Sequence, residues 1–214
     1  MEIRTITNFS KPLIIGADKQ VCYFLDTIPQ GEINLKKNSH LTLIALITNG
    51  WEEQRTLTIN AKERGATCQC IFFILGKNSE KFNTKIKGIH TAPKTGIKAK
   101  IRTALTDKSI CHIDGDWIIE KNAKGTDTHF ADHTLILSEE AAAKTSPNLE
   151  IKTDDVKAGH SASVGKIDEE VLFYLLSRGI TETEARALMV QGFFETELNY
   201  IPDEQMKEKV RVAV

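Results

Sequence analysis

Metal donors are sparse in this chain, and their spacing limits what they can do. The cysteines are Cys22, Cys68, Cys70 and Cys111. On a strand, Cys68 and Cys70 share one face, where two thiolates can hold iron or begin a cluster. Phe72 and Ile74 continue that face, so the plain alternative is a buried stripe in which cysteine is a small hydrophobe. His129 and His133 flank Ala131 and share a face on a strand or a helix, which makes them candidates for a two-histidine iron site; surface or turn histidines are the alternative. Cys111 and His112 are adjacent and diverge on a strand, so they do not share a metal. His160 offers an imidazole that can ligate iron or carry a proton near neutral pH; the alternative is a histidine bonded in a turn. Asp154 and Asp155 would point apart on a strand, and a turn or cap is the expected role. Lys98, Lys100 and Arg102 form a basic row opposite Ile97, Ala99 and Ile101. Such a row can touch phosphates, but the solvent face of an amphipathic strand explains it more simply, and no aromatic partners stand beside it for stacking bases.

The segments that must position these groups are strands. From Leu41 to Leu137 short β-rich runs follow one another: Leu41–Thr48, Arg55–Ala61, Thr67–Leu75, Ile97–Leu105, Ile110–Glu120 and Thr134–Ser138. Several alternate with period two, the mark of half-buried strands. Thr48-Asn49-Gly50, Glu63-Arg64-Gly65, Leu75-Gly76-Lys77-Asn78 and Asp114-Gly115-Asp116 punctuate them as turns. No β–helix–β alternation appears, which counts against a doubly wound fold. A sandwich, a barrel and a solenoid stay open, since no strict sequence repeat stands out.

After about Val164 the pattern becomes helical. Asp168-Glu169-Glu170 places acids at a helix start, and Arg178-Gly179 closes that helix. Thr181 and Glu184 fit a capping box. Ala185, Leu188, Met189 and Phe193 follow at helical spacing. Pro202 marks a boundary, and Met206–Val212 forms a last short helix.

The chain has 214 residues, 41% of them hydrophobic, enough for a buried core. Its 28 Lys and Arg balance 29 Asp and Glu, against the basic excess usual in a nucleic-acid binder. The start, Met1-Glu2-Ile3-Arg4-Thr5, has no apolar signal core, no apolar run reaches membrane-spanning length, and no C-x-x-C pair is present. A cytoplasmic protein with reduced thiols is the expectation. No phosphate loop is present either, so no nucleotide is expected to bind this chain.

The stretch from Leu149 to Asp168 resembles a family signature: Leu149-Glu150-Ile151, then Asp154-Asp155-Val156-Lys157, His160-Ser161-Ala162-Ser163-Val164-Gly165 and Asp168. Phe173-Tyr174-Leu175 and Ser177-Arg178-Gly179-Ile180 continue it, and His90-Thr91-Ala92-Pro93 and Leu135-Ile136-Leu137-Ser138 match upstream. Together they resemble the SufB/SufD family of iron–sulfur cluster assembly proteins. The resemblance implies a right-handed parallel β-helix with a C-terminal α-helical tail, divided as 1–165 and 166–214. It implies a non-enzymatic scaffold subunit that handles a transient iron–sulfur cluster, pairs with a SufB-type or identical second core, and docks the ATPase SufC through its tail. Ala131 stands where the SufB branch carries a cysteine, and His160 where the SufD branch carries a histidine, so the chain is closer to SufD. His160 thereby becomes the leading cluster or metal residue, ahead of Cys68, Cys70, His129 and His133. Phe173, Tyr174, Arg178, Leu188, Phe193 and Phe194 are the implied SufC-docking residues. Ala158, often a cysteine, and Ser161, usually glycine, depart from the pattern. A shortened interaction paralogue that no longer handles clusters is the first alternative; a β-helical carbohydrate-acting enzyme, which needs two acids held over a cleft, is the second.

Overall fold

In the computed structural model, which describes residues 2–5 and 11–214, the chain alternates between two parallel sheets and winds into a β-solenoid. The seven-stranded sheet takes the odd strands in order: β1 (Glu2–Thr5), β3 (Gln20–Leu25), β5 (His40–Ile47), β7 (Thr67–Gly76), β9 (Gly96–Leu105), β11 (Thr126–Ile136) and β13 (Val156–Lys166). The six-stranded sheet takes the even ones: β2 (Leu13–Ile15), β4 (Gly31–Leu35), β6 (Trp51–Ala61), β8 (Lys81–His90), β10 (Ile110–Ile119) and β12 (Ala142–Ile151). Three helices follow: α1 (Glu169–Ser177), α2 (Glu182–Leu198) and α3 (Glu204–Ala213). The all-β core and helical tail implied by the sequence are both present, and of the three all-β options the solenoid is the one adopted.

Between the sheets, alternate residues interlock. Leu41, Leu43, Leu57, Ile59, Phe72, Ile74, Ile86, Ile97 and Trp117 are all essentially without solvent exposure. Cys68, Cys70 and Cys111 lie in this core. Asp114-Gly115-Asp116 is not a turn but the middle of β10. A Cβ on Gly115 would sit 2.7 Å from the Phe130 ring, so this glycine makes room for an aromatic from the facing sheet rather than bending the chain.

The repeat that sequence comparison of successive turns does not show is carried by backbone conformation. Asp18, Asn38, Gly65, Lys94 and Gly125 take φ of +56°, +53°, +74°, +57° and +69°. Each sits at the same corner of successive turns, and its N–H donates to a carbonyl of the next: Asp18 to Lys37, Asn38 to Arg64, Gly65 to Pro93, Lys94 to Lys124, and Gly125 to Asp155. Left-handed backbone is open to glycine and tolerable to Asn and Asp. At Gly65 an added Cβ would also meet Asn38 Oδ1 at 2.5 Å. Gly65→Ala is therefore expected to destabilise the fold by about 1–2 kcal/mol or more, read as a lowered urea midpoint with unchanged m.

Helices α2 and α3 lie on the outer face of the seven-stranded sheet. Phe194, Leu198, Val190, Met206 and Val210 pack against Cys22, Ile44, Ile71, Phe73 and Ala104. The helix starts follow the sequence signals. Asp168 accepts from Glu170 and Val171 N–H, and Thr181 and Glu184 form the reciprocal capping box. Gly179, at φ +85°, closes α1.

The basic row on β9 is only partly a solvent face: Lys98 is exposed, but α2 covers Lys100 and Arg102. Glu197, whose side chain is only 6% exposed, takes Arg102 at 2.9 Å and Lys100 at 3.0 Å. Lys100 also lies 3.5 Å from the Tyr200 ring centroid and Arg102 4.8 Å from that of Phe193. Lys98 pairs with Asp127 across the next strand. A row of cations that looked free for phosphates is largely spent on holding the helices to the sheet.

Candidate functional site at the open end of the solenoid

Strands β12 and β13 end the two sheets, and their residues are mostly exposed or half-buried. His160 lies on β13, not in a turn, and is exposed. It is in register with Phe130, which is buried and packs on Trp117 at 5.0 Å. By the two-residue alternation of strands, His160 shares the inward parity of Phe130. It therefore sits over the mouth of the inter-sheet space, one strand beyond the Gly115–Phe130 contact. Ala158 and Ala162 share its face. Val164, of the same parity, and Ile151 on β12 are exposed apolar residues at this end.

The other candidates are not brought to His160. His129 and His133 occupy the opposite, outward face of β11, flanking Ala131 as their spacing required. His129 Nε2 lies 3.4 Å from Ser161 Oγ, and His133 Nδ1 lies 2.7 Å from Ser163 Oγ. The His129 ring covers Gly159, where a Cβ would come within 3.1 Å of Nδ1; a glycine there lets the ring lie down. Burial, then the nearby Arg102 charge, depresses the His133 pKa. Cys68 and Cys70 are buried with their sulfurs 3.8 Å apart, and the shared hydrogen bond followed by desolvation raises the Cys68 pKa well above the usual thiol value. That environment keeps the thiol protonated and suits the apolar-stripe role. Cys111 is buried and His112 exposed, diverging as adjacent strand residues do. Asp154 and Asp155 fall in the bend between β12 and β13, not over a cleft. Among the described residues, no group of three or more His, Cys, Asp or Glu is placed to hold a metal ion.

His90, in the matched upstream segment, is an interior strut. Its Nδ1 lies 2.8 Å from Thr95 Oγ1 and its Nε2 3.2 Å from Thr128 Oγ1. Desolvation lowers its pKa to about 4. The unfolded chain thus binds the proton more tightly, so the contribution of His90 to stability is full above about pH 6.5 and is lost as pH falls towards 4, by about 3 kcal/mol. Replacing it with Gln is expected to flatten that limb of a urea-midpoint profile taken between pH 4 and 7.

The helical candidates divide by exposure. Phe173 is 71% exposed, Tyr174 56% and Leu188 48%; Arg178 is exposed and stacks on Tyr174 at 5.1 Å. Phe193 is half-buried over Arg102. Phe194, expected at the docking surface, is instead 1% exposed and packed on Phe73 at 5.3 Å. It holds α2 to the sheet and is not available to a partner. Of the residues of α1, Leu172 is buried, so the chain carries an apolar helix face that its own core does not cover.

The sequence model described as SUF system FeS cluster assembly, SufBD core domain, matches residues 27–193. The chain belongs to the SufBD core family. Among its relatives, an iron–sulfur cluster assembly SufBD family protein of Mycobacterium leprae is 45% identical over 101 residues, covering 47% of this chain and 26% of the relative. The iron–sulfur cluster assembly protein SufD of Bacillus subtilis is 35% identical over 135 residues, 63% of this chain and 30% of the relative. SufD of Escherichia coli is 35% identical over 113 residues, 53% of this chain and 27% of the relative. The matched region spans only about a quarter to a third of those SufBD proteins. Among the described residues no helix is long and apolar enough to cross a membrane.

Proposed function

We propose that this SufBD chain is a SufD-type scaffold subunit of cytoplasmic iron–sulfur cluster assembly, without catalytic activity of its own. The observation that carries the proposal is His160, exposed on the last strand at the open end of the solenoid. Terminal strands with unsatisfied edges invite pairing. A second core, SufB-type or identical, would add its strands to β12 and β13 and enclose His160 at the joint. There the imidazole would serve as a ligand or proton carrier for a transient cluster, with the remaining donors supplied from across the joint, since Ala158 and Ala162 beside it offer none. The tail, residues 166–214, would dock a SufC-type ATPase through Phe173, Tyr174, Arg178 and Leu188. These exposed residues resemble the aromatic and arginine anchors that dominate binding energy in interfaces. Two features favour the second reading, a paralogue that keeps the partner surface but not the cluster: alanine at both 131 and 158.

The docking half is tested by Phe173→Glu. The side chain is exposed, so the fold should hold. Capture of the ATPase from the same cell should fall at least tenfold. Undiminished capture would remove α1 from the interface.

A further inference from the structure

Beside the helices, a groove stays open on the outer face of the seven-stranded sheet. Two hollows of about 530 and 450 Å³ adjoin there and share Lys98, Lys100 and Asp127. The first reaches Gln69, Lys94 and Tyr200, and the second reaches His129, Lys157 and Gly159. The groove therefore crosses β7, β9, β11 and β13 near their starts. Three strand spacings make it about 14 Å long, the span of about four extended residues. Its charge is one-sided: four lysines line it against one carboxylate, Asp127. Lys98 takes Asp127 at 2.8 Å, and Lys100 takes Glu197 at 3.0 Å. Lys94 and Lys157, both exposed, make no ion pair among the described residues. Lys94 is also held in an unusual conformation. The non-glycine residues with positive φ among those described are Asp18, Asn38, Asn78, Lys94 and Asp107. Asp and Asn tolerate the left-handed region, whereas a lysine there is strained. Strain kept at an exposed, unpaired side chain on the rim of a groove points to a use for that side chain. Lys37, Arg64 and Lys124 precede the left-handed residue in other turns of the same corner, so the net charge of −1 conceals a basic edge.

We infer that this groove docks an extended acidic segment of a partner polypeptide, a role separate from the His160 end and the α1 face and independent of the scaffold reading. Alternate side chains of an extended segment point the same way, about 7 Å apart. Carboxylates two to four residues apart in such a segment can reach Lys94 on one side of the Lys98–Asp127 pair and Lys157 on the other. The neighbouring cations add attraction at longer range, which speeds encounter and weakens with salt. The one Phe, Tyr or Trp ring that lines the groove, Tyr200, already carries Lys100 at 3.5 Å from its centroid. The groove thus lacks the row of stacking rings that single-stranded nucleic acid uses, and a peptide is the occupant it fits.

The probe is a labelled peptide of alternating glutamate and glycine, followed by fluorescence anisotropy on the full chain at low and at physiological salt. The parent should bind it, more weakly as salt rises. Lys94→Asn should bind about threefold more weakly, and Lys94→Asn combined with Lys157→Gln about tenfold. Lys94→Asn should nonetheless resist urea at least as well as the parent, because asparagine accepts the left-handed backbone. Lys108→Gln removes the same charge from the turn between β9 and β10, at the opposite corner, and should bind like the parent. A parent that does not bind, unchanged binding by Lys94→Asn, or equal weakening by Lys108→Gln would overturn the site. An oligothymidine of equal charge that binds as tightly as the peptide would overturn the peptide assignment and make the groove a general polyanion surface.

Discussion

Asp132→Asn is expected to be more stable than the parent at pH 7, by up to about 3 kcal/mol. Burial raises the Asp132 pKa to about 6, offset only in part by Thr145. The folded state therefore holds the proton more tightly than the unfolded chain. The sign is opposite to that of His90: stability is greatest where the carboxyl is protonated, and it falls as pH rises from about 4 through 6. Parent and variant should converge near pH 4 and separate steadily up to pH 7. The two buried groups nearly cancel between pH 4 and 6, so the parent's profile should be flatter there than either single variant's. Urea titrations of parent, Asp132→Asn and His90→Gln at several pH values would show this. Equal stability of parent and Asp132→Asn across the range would mean that Asp132 finds a partner in solution.

Glu197→Ala should be among the most damaging single changes in the tail. It strips the counter-charge from Lys100 and Arg102, whose side chains are 24% and 16% exposed. Removing one partner of a buried ion pair leaves uncompensated charge. Residual solvent access to Lys100 reduces the penalty, and about 2–4 kcal/mol is expected. The loss should be local first. Helices α2 and α3 should loosen from Ile71, Phe73 and Ala104, seen as faster amide exchange across 182–213 while the solenoid strands stay protected. Uniform loss across strands and helices would show that tail and core unfold as one unit.

The sequence carried the strands, the helix caps and the class of fold for reasons that remain visible. Alternation at Arg55–Ala61 and Ile97–Leu105 follows directly from a sheet with two unlike faces. The capping box at Thr181 and Glu184 is a local signal that tertiary packing has no cause to alter. The solenoid itself was reachable only through family resemblance, because its repeat lies in a left-handed corner filled by Asp, Asn, Gly, Lys and Gly in turn. Gly115 misled, since a glycine between aspartates signals a turn unless a bulky ring from another strand needs the space. The β9 cations misled because the helix that covers them comes nearly a hundred residues later. Asp132 was legible in principle: Thr126, Thr128, Phe130, Asp132, Thr134 and Ile136 share one parity, and a lone acid on a core-facing row is a signal. His160 was found by family motif; its place on an edge strand over the inter-sheet mouth came only with the fold.

Anaerobic co-purification of this chain with the SufB-type and SufC-type proteins of its own cell, for parent and His160→Ala, tests the central claim most directly. Complex composition, iron and sulfide should be read on the same fractions. The scaffold account predicts a complex carrying iron and sulfide for the parent, and the same complex without them for His160→Ala. A complex whose iron and sulfide do not depend on His160, or a parent that retains neither partner, would contradict it.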